Sequence, residues 1–241
     1  MKFHAHIRST LLDALKWVEY AFQTTGEKPP AGAFYGLQRH SPIVVYDDDA
    51  NTLPKSRESD GIIGLCIRPV AVYTADCLPV LIADTQHQHV AAVHVGLQGA
   101  LEGVLDRTVE RLCIEGASPM HLHIAIGPAI APCCYEISAK KLAQITHMMP
   151  ILLKHCCWHY KQPYNPLAVR AQAHATQNSI WFDLPQMATE ILKQVGVRST
   201  NIENIGLCTY CMAEIGSSYR RNTHFNNGYQ SFYSWIRRCN A

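Results

Sequence analysis

The segment VAVYTADCLPVLIADTQHQHVAAVH, residues 70–94, decides the fold of this chain. It contains three short apolar or β-branched runs, which suit adjacent buried strands. These runs are Val70–Thr74, Leu78–Ile82 and Val90–His94. Cys77 stands immediately before the second run, and His94 lies within the third. A thiol and an imidazole on neighbouring strands can form a zinc site or a nucleophile–base pair. The same segment therefore also indicates these two kinds of chemistry.

Further strands and helices are predicted on both sides of this segment. The predicted strands are Lys2–Ile7, Ile43–Tyr46, Ile62–Cys66, Leu122–Ile126 and Ile202–Ile205. The predicted helices are Ser9–Phe22, Gly99–Glu115, Ser138–Met148 and Leu184–Val195. The polar stretch Thr52–Asp60 is predicted to be a surface loop. Strands and helices alternate without a strict βαβ rhythm. The sequence therefore predicts an α/β fold with a mixed β-sheet core and flanking helices, formed as a single domain over residues 1–241.

The composition argues against several classes of protein. The chain has 241 residues, 48% of them hydrophobic and 17% charged, which is enough to bury a sizeable core. Its net charge is only +2 and it has no long basic run, so no nucleic-acid partner is expected. No apolar run approaches the roughly 20 residues of a membrane span, so no membrane partner is expected. Ten cysteines without a recognisable secretion signal indicate mostly reduced thiols and a cytoplasmic location.

A catalytic zinc ion usually has three protein ligands and a fourth position that stays open for water or substrate. Cys77 and His94 can supply two of these ligands, and the third must come from elsewhere in the chain. His40, just before a predicted strand, is a candidate on local grounds. The chain has 13 histidines, so spacing alone leaves open whether His40 and His94 are metal ligands or ordinary surface and core residues.

Four separated segments resemble the bacterial laccase-domain, or purine nucleoside phosphorylase-like, family. This family is also called the multicopper polyphenol oxidase or peptidoglycan-editing-factor family. The segments are TADCLPV (74–80), AAVHVG (91–96), IGPAIAPCCYE (126–136), and CTYC (208–211) with SYRR (218–221). Their order and spacing match the family pattern over about residues 20–235, which is almost the whole chain.

The resemblance implies a zinc ion held by one cysteine and two histidines, which map onto Cys77, His94 and His40. It implies phosphorolysis of purine nucleosides such as adenosine, inosine and methylthioadenosine, or deamination of adenosine. The expected partners are therefore a nucleoside and phosphate, and the expected fold is cysteine-hydrolase-like. The older polyphenol-oxidase name implies copper, which a cysteine and two histidines can also bind. One such site falls short of the several coppers of a multicopper oxidase, so zinc is the expected cofactor.

The remaining motifs supply candidates for substrate binding. Glu136 precedes a predicted helix and either hydrogen-bonds a ribose or base, or serves as a solvated residue at the helix start. Tyr219 can stack on a base, and Arg220 and Arg221 can bind phosphate, unless the motif is a charged surface turn. Given the resemblance, one arginine is expected to face the site and the other to face outward. Asp76, next to Cys77, is expected to orient a ligand or a water.

Two pairs of cysteines are predicted to be structural. Cys133 and Cys134 look like a metal pair, but the family loop has the same two cysteines without using them as zinc ligands. Cys208 and Cys211 form a Cys-x-x-Cys element, and no second element of this kind exists to complete a four-cysteine site. We therefore expect structural thiols at the first pair and a local structural pair at the second.

The chain departs from the family pattern at several positions. Thr25, Gln98 and Tyr229 stand where family members have arginine, and Ser41 stands where the Gln-x-His-Gly element has glycine. Arginines near a metal bind and polarise an anion such as phosphate. These replacements are therefore expected to weaken phosphorolysis more than metal binding. A water-driven reaction such as deamination needs less anion binding.

Three functions follow from these observations. The leading one is a zinc-dependent enzyme that acts on purine nucleosides. The second is a metal-independent cysteine hydrolase, with Cys77 as nucleophile and His94 as base, which would suit the editing of a peptidoglycan precursor. The third is a zinc-binding interaction protein that has lost catalysis together with its arginines. The sequence leaves the oligomeric state open.

Overall fold

The computed structural model of the chain describes residues 7–48, 51–155, 157–165, 179–212 and 217–239. The helices within these ranges are α1 (Thr10–Asp13), α2 (Leu97–Leu101), α3 (Val104–Ile114), α4 (Ala139–Met148), α5 (Leu184–Gln194) and α6 (Tyr219–Phe225). The strands are β1 (Val18–Phe22), β2 (Val44–Tyr46), β3 (Gly61–Gly64), β4 (Val70–Thr74), β5 (Leu78–Asp84), β6 (Val90–Val95), β7 (Leu122–Ile126), β8 (Glu136–Ile137), β9 (Trp158–His159), β10 (Ile180–Phe182), β11 (Ile202–Asn204) and β12 (Phe232–Arg238).

The centre of the fold is a six-stranded mixed sheet in the order β11-β7-β5-β6-β3-β2. β5 pairs antiparallel with β6 and β7, and β3 pairs antiparallel with β6. The outer strands β11 and β2 pair parallel with their neighbours. Two smaller sheets have the orders β1-β12-β4 and β8-β10-β9. The prediction of an α/β fold with a mixed sheet and flanking helices is therefore confirmed.

Both faces of the central sheet are covered. Leu78, Val80 and Ile82 of β5 belong to a buried cluster that includes the apolar sides of α3 and α5. Leu81 and Ala83 belong to a second cluster, formed with the β1-β12-β4 sheet. Successive side chains of a strand point to opposite faces, so β5 needs an apolar residue at every position from Leu78 to Ala83. This explains the unbroken apolar run that marks the strand in the sequence.

The predicted helix Ser9–Phe22 is wrong beyond its first turn. α1 ends at Asp13, and β1 follows and pairs with β12 along its whole length. Tyr20 and Phe22 are buried while Glu19 is exposed. This period of two belongs to a strand that is covered on one face. The predicted strand Lys2–Ile7 lies outside the described residues except for Ile7, which forms an isolated bridge with Phe22.

The other predicted helices are confirmed with one change. The segment predicted as a single helix from Gly99 to Glu115 forms two helices, α2 and α3. Gly103 separates them with a φ of 88°, a left-handed conformation that glycine adopts without steric cost. α4 and α5 begin and end within one residue of the predicted bounds. Among the residues described, no helix combines the length and the apolar composition that crossing a membrane requires.

The layered packing predicts a large difference between two leucines. Leu81 is completely buried between the central sheet and the β1-β12-β4 sheet, whereas Leu53 is 71% exposed. We expect Leu81→Ala to lower the free energy of unfolding by about 2–5 kcal/mol, because it leaves a cavity. Leu53→Ala should change it by less than about 0.5 kcal/mol. Urea unfolding of both variants tests this, and equal losses would contradict the packing described here.

Candidate metal centre and cavity

The register of the β5–β6 pair brings Cys77 and His94 together. Pro79 lies opposite His94, and residues two apart along a strand share a face, so Cys77 lies beside the His94 ring. His40 reaches the same place from the loop before β2. Its Nε2 is 3.6 Å from Cys77 Sγ, and the rings of the two histidines are 4.8 Å apart. One ligand atom from each of the three residues lies within 4.8 Å of the others.

This donor set fits a transition metal. A thiolate and two neutral imidazoles are ligands that zinc accepts, and copper accepts them as well. Three protein ligands leave one coordination position for water or substrate, as in catalytic zinc sites. His40, Cys77 and His94 all line the same cavity, so an open position would face it. The structure thus brings together the three residues that the sequence analysis selected as metal ligands.

Asp60 orients this cluster, and the sequence analysis missed it. Its carboxylate accepts a 2.6 Å hydrogen bond from Nδ1 of His94, which leaves Nε2 of that ring for a metal or for the thiol. It also accepts hydrogen bonds from the backbone N–H groups of residues 39, 40 and 41. Asp60 is completely buried, which corrects the prediction that Thr52–Asp60 is a surface loop throughout. The only signal in the sequence is an acidic residue directly before an apolar strand.

The loop that carries His40 is held at both ends. Gln38 donates its side-chain amide to the carbonyl of Tyr73 and accepts from the Tyr73 backbone N–H. Ser41, which replaces the family's glycine, donates its hydroxyl to Asp60 at 2.8 Å. Between them His40 has a φ of 61°, a left-handed conformation that few residues other than glycine adopt. The hydrogen bonds around it therefore stabilise the backbone shape that aims the imidazole at Cys77.

Hydrogen bonding and charge set the protonation of the site. Burial raises the pKa of Asp60, but the hydrogen bonds from His94 and from the backbone outweigh it and lower this pKa to about 2. Burial also raises the pKa of Cys77, but the two histidines lower it to about 7. Burial lowers the pKa of His94, yet Cys77 and Asp60 raise it to about 9. A metal ion bound at His94 would displace a proton from the ring, because the ligand is the neutral imidazole.

Asp76 stabilises the opposite side of the site through hydrogen bonds. It is buried, has a φ of 93°, and accepts hydrogen bonds from the hydroxyls of Thr209 and Ser218 and from the backbone N–H of Arg220. Burial raises the pKa of Asp76, although these donors act against it. The carboxylate thus ties the turn before β5 to the Cys208–Cys211 loop and to the start of α6. Its predicted role in orienting a ligand or a water stays a prediction.

A cavity of about 530 Å³ opens over the cluster. Its walls are mostly aromatic and aliphatic, which suits a flat heterocycle. These wall residues are Tyr73, Leu97, Ile130, Tyr135, Leu184, Tyr219 and Tyr229. Among the described residues that line it, Arg220 is the only arginine or lysine. The cavity therefore combines an apolar wall, a cluster of metal-binding side chains and one permanent positive charge.

The structure brings some of the predicted substrate-binding residues to this cavity. Tyr219 and Arg220 line it, and the Arg220 guanidinium lies 5.2 Å from the centre of the Tyr135 ring. Arg221 instead donates to the carbonyl oxygens of Thr209 and Tyr210, so the two arginines do point in different directions. Glu136 is not among the described lining residues.

Glu136 contributes to the cavity through its backbone. Its carbonyl oxygen accepts a 2.8 Å hydrogen bond from Nη1 of Arg220. Its carboxylate accepts from the hydroxyl of Ser179. Tyr135, the preceding residue, lines the cavity, although the sequence analysis gave it no role. Its place in the same motif as Glu136 was the available signal.

Only one of the three replaced arginine positions lies on the cavity. Tyr229 lines it, and its ring packs edge-on against Tyr219 at 5.3 Å between centroids. Gln98 is exposed and donates to Glu102, and Thr25 is exposed. The largest chemical change from the family pattern at the cavity wall is therefore an aromatic ring in place of a cation.

The two cysteine pairs form one cluster, which corrects the expectation of separate structural thiols. Cys133, Cys134, Cys208 and Cys211 are all buried, and their sulfur atoms lie within 4.8 Å of one another. The sequence analysis required a second Cys-x-x-Cys element for such a cluster. The fold supplies two adjacent cysteines in its place.

Comparison with known proteins agrees with this architecture. A family model described as multi-copper polyphenol oxidoreductase laccase matches residues 18–237. The chain therefore belongs to this family. Its structure is similar to that of the YfiH protein from Bacillus licheniformis, with a TM-score of 0.72 at 20% identity over 86% of this chain and 74% of that one. A Neisseria meningitidis protein gives a TM-score of 0.68 at 25% identity over 86% and 75%.

Curated relatives carry the name purine nucleoside phosphorylase. One from Synechocystis is 28% identical over 207 residues, which cover 81% of this chain and 77% of the relative. Another, from Shigella flexneri, is 31% identical over 168 residues, which cover 69% of this chain and 58% of the relative. The match to a relative from Corynebacterium glutamicum covers half of each protein.

Gly96 gives a steric test of the cluster. A Cβ at this position would lie 2.4 Å from Cδ2 of His40 and 3.2 Å from Sγ of Cys77. We expect Gly96→Ala to displace the His40 ring and to weaken zinc binding at least about tenfold, or 1.4 kcal/mol. Competition with a chromophoric chelator measures this.

Gly99→Ala is the matched control. Its Cβ would lie 3.4 Å or more from any neighbour, and alanine suits its position in α2. It should bind zinc with an affinity within about twofold of wild type, because the added methyl group makes only ordinary van der Waals contacts. Equal weakening by the two variants would rule out the steric explanation.

Asp60 gives an electrostatic test. Asp60→Asn keeps the shape of the side chain but removes the charge that holds Nδ1 of His94. We expect zinc affinity to fall about 10–100-fold, because hydrogen-bond partners of metal-binding histidines have effects of this size. Glu58→Gln, an exposed carboxylate two residues earlier, should leave affinity unchanged. An unaltered affinity in Asp60→Asn would show that the His94 ring is held by other contacts.

Proposed function

We propose that residues 1–241 act as one domain and form a zinc-dependent enzyme that acts on purine nucleosides. The observation that carries this proposal is the cluster of His40, Cys77 and His94 at a cavity walled by tyrosines. The name purine nucleoside phosphorylase, borne by relatives from Synechocystis and Shigella flexneri, supports the same substrate class. The cavity volume of about 530 Å³ lies in the range of small-molecule sites.

The aromatic wall accounts for binding of the purine base. Tyr135, Tyr219 and Tyr229 line the cavity, and Tyr219 and Tyr229 meet edge to face. A purine can pack against such rings with an offset or edge-on geometry, which contributes about 0.5–1.5 kcal/mol per aromatic pair beyond burial. Tyrosine hydroxyls can also hydrogen-bond the ring nitrogens or the ribose. In this proposal the base lies on the tyrosines, and its sugar lies toward Cys77.

Arg220 accounts for recognition of phosphate. Its guanidinium has five N–H donors, and one of them goes to the carbonyl of Glu136, so others remain for an anion. In phosphorolysis a phosphate oxygen bonds to C1′ of the ribose while the bond from C1′ to the base breaks and the base leaves. In deamination a water adds to C6 of adenine and ammonia leaves. A zinc ion bound by the three ligands would polarise a phosphate oxygen or activate a water.

The cavity favours the water-driven reaction over phosphorolysis in this chain. Arg220 is the only arginine or lysine among the described lining residues, and Tyr229 stands where the family pattern has a cation. A doubly charged phosphate is stabilised by several cations, whereas a water needs only the metal ion that activates it. We therefore expect deamination of adenosine to persist when phosphate is absent, with phosphorolysis as the weaker activity.

A specific geometry favours a second candidate, a metal-independent cysteine hydrolase. Cys77, His94 and Asp60 are arranged as nucleophile, base and orienting carboxylate, with Asp60 on Nδ1 of His94. The pKa of about 7 for Cys77 makes a thiolate available at neutral pH. An oxidase with several coppers has less support. Among the described residues, only one candidate cluster contains the imidazoles that blue-copper and Cu(II) sites use, and the other offers thiolates alone.

Nucleoside assays with and without phosphate test the leading proposal. Adenosine, inosine and methylthioadenosine are incubated with the zinc-loaded protein, and products are separated by chromatography. We expect His40→Ala to lower kcat/KM at least about 100-fold, because three-ligand zinc sites need every ligand. His147→Ala, an exposed histidine on α4, should have no effect. Nucleoside turnover that persists in His40→Ala would contradict the zinc mechanism.

Metal removal separates the three functions. A chelator that strips zinc should abolish nucleoside turnover if the leading proposal holds. Activity on amide substrates that survives the chelator but is lost in Cys77→Ala would identify the hydrolase. Zinc binding without turnover of any nucleoside, with or without phosphate, would favour the third function, a zinc-binding interaction protein.

A further inference from the structure

The four buried cysteines lie on two segments that run side by side. β7 and β11 are parallel neighbours in the central sheet, so the segments that follow them leave the sheet at the same edge. Ala129 donates its N–H to the carbonyl of Leu207, and Thr209 donates to the carbonyl of Ala129. This pairing places Cys133 and Cys134 opposite Cys208 and Cys211, although 77 or 78 residues separate the first two from Cys211.

The sulfur separations fit the binding of one ion by all four cysteines. Four sulfurs at about 2.3 Å from a central zinc ion lie about 3.8 Å from one another. Sγ of Cys211 is 3.8 Å from Sγ of Cys133 and 3.4 Å from Sγ of Cys134. All four sulfurs lie within 4.8 Å of one another. These separations exceed the roughly 2.05 Å of a disulfide and leave room for one ion at the centre.

The surroundings suit thiolates rather than neutral thiols. The four side chains are between 0% and 7% exposed. The backbone N–H of Ala131 points at Sγ of Cys208 from 3.4 Å, and Nδ2 of Asn165 lies 3.3 Å from Sγ of Cys133 and 3.5 Å from Sγ of Cys211. N–H donors of this kind stabilise negative charge on metal-bound sulfur.

A permanent positive charge is hydrogen-bonded to the backbone between Cys208 and Cys211. The guanidinium of Arg221 donates to the carbonyl oxygens of Thr209 and Tyr210, which stand between Cys208 and Cys211. Four thiolates around a divalent ion carry a net charge of about −2, so an adjacent cation lowers the cost of burying them. This also explains why Arg221 turns away from the cavity that Arg220 lines.

We propose that Cys133, Cys134, Cys208 and Cys211 hold a structural zinc ion, separate from the metal held by His40, Cys77 and His94. Tetrahedral coordination by sulfur alone is typical of zinc or iron, and four protein ligands leave no open position for substrate, as in structural zinc sites. This inference concerns other residues than the proposed function and does not depend on it.

The site has a structural consequence for the cavity. Thr209, between two of the cysteines, donates to the carboxylate of Asp76, and Tyr135, directly after Cys134, lines the cavity wall. An ion at the four sulfurs would therefore fix both segments of this wall relative to each other. Binding of a structural zinc ion contributes directly to folding stability, so its removal should lower the melting temperature.

Zinc content in the Cys77→Ala variant tests the proposal, because this substitution removes a ligand of the other site. The full chain is purified under reducing conditions, and its metals are measured by elemental analysis. We expect about two zinc ions per chain in wild type and about one in Cys77→Ala. Zinc X-ray absorption of the variant should show about four sulfur neighbours near 2.3 Å and no nitrogen neighbours.

A second variant and two controls locate the ion. Cys77→Ala combined with Cys211→Ser should retain no zinc, whereas Cys66→Ser or Cys113→Ser, at exposed cysteines, should retain it in the Cys77→Ala background. If the double variant fails to fold, the X-ray absorption spectrum of folded Cys77→Ala still decides the question.

Three results would overturn the proposal. The first is folded Cys77→Ala without metal. The second is iron in place of zinc at the four sulfurs. The third is an intact mass about 2 or 4 Da lower than that of the reduced chain, with peptide mapping that locates the disulfides at these four cysteines. Loss of nucleoside turnover has no bearing on any of these outcomes, so failure of the proposed function and failure of this inference can be told apart.

Discussion

The candidate metal centre depends on one buried carboxylate. Asp60 accepts hydrogen bonds from the ring of His94 and from three successive backbone N–H groups around His40. A buried anion is tolerated here because charge-assisted hydrogen bonds replace its lost hydration. The same carboxylate therefore fixes β6 relative to the loop before β2. Together with the Gln38–Tyr73 hydrogen bonds, this constraint stabilises the left-handed backbone at His40 and the placement of its ring beside Cys77.

A second carboxylate holds the other half of the cavity. Asp76 directly precedes Cys77, and its hydrogen bonds reach the Cys208–Cys211 loop and the start of α6. Cys208 and Cys211 of the four-cysteine cluster are on that loop. The candidate metal centre, the cavity wall and the cysteine cluster thus form one connected set of contacts. This arrangement explains how a protein can lose cations around a site and keep the site's shape, because the contacts that hold the ligands do not involve the replaced positions.

Some features escaped prediction for definite physical reasons. Residues 9–22 have enough helix formers to suggest one helix, but pairing with β12 overrides that local preference. As a polar residue, Asp60 is expected to be exposed. The neighbouring sequence does not show that its hydrogen-bond donors come from residues 39–41 and from β6. The pairs at Cys133 and Cys208 look incomplete when each is judged alone, because metal-ligand spacing is recognisable only within a contiguous motif.

The sequence by itself determined the buried strands around residues 70–94, the mixed α/β class and the three side chains that meet in the candidate metal centre, His40, Cys77 and His94. It could do so because apolar runs report burial locally, and because the motifs around these residues resemble a known family. Only the tertiary structure decided which arginine faces the cavity, that Asp60 orients His94, and that four distant cysteines meet. These features depend on strand order and register, which place segments side by side regardless of their separation along the chain.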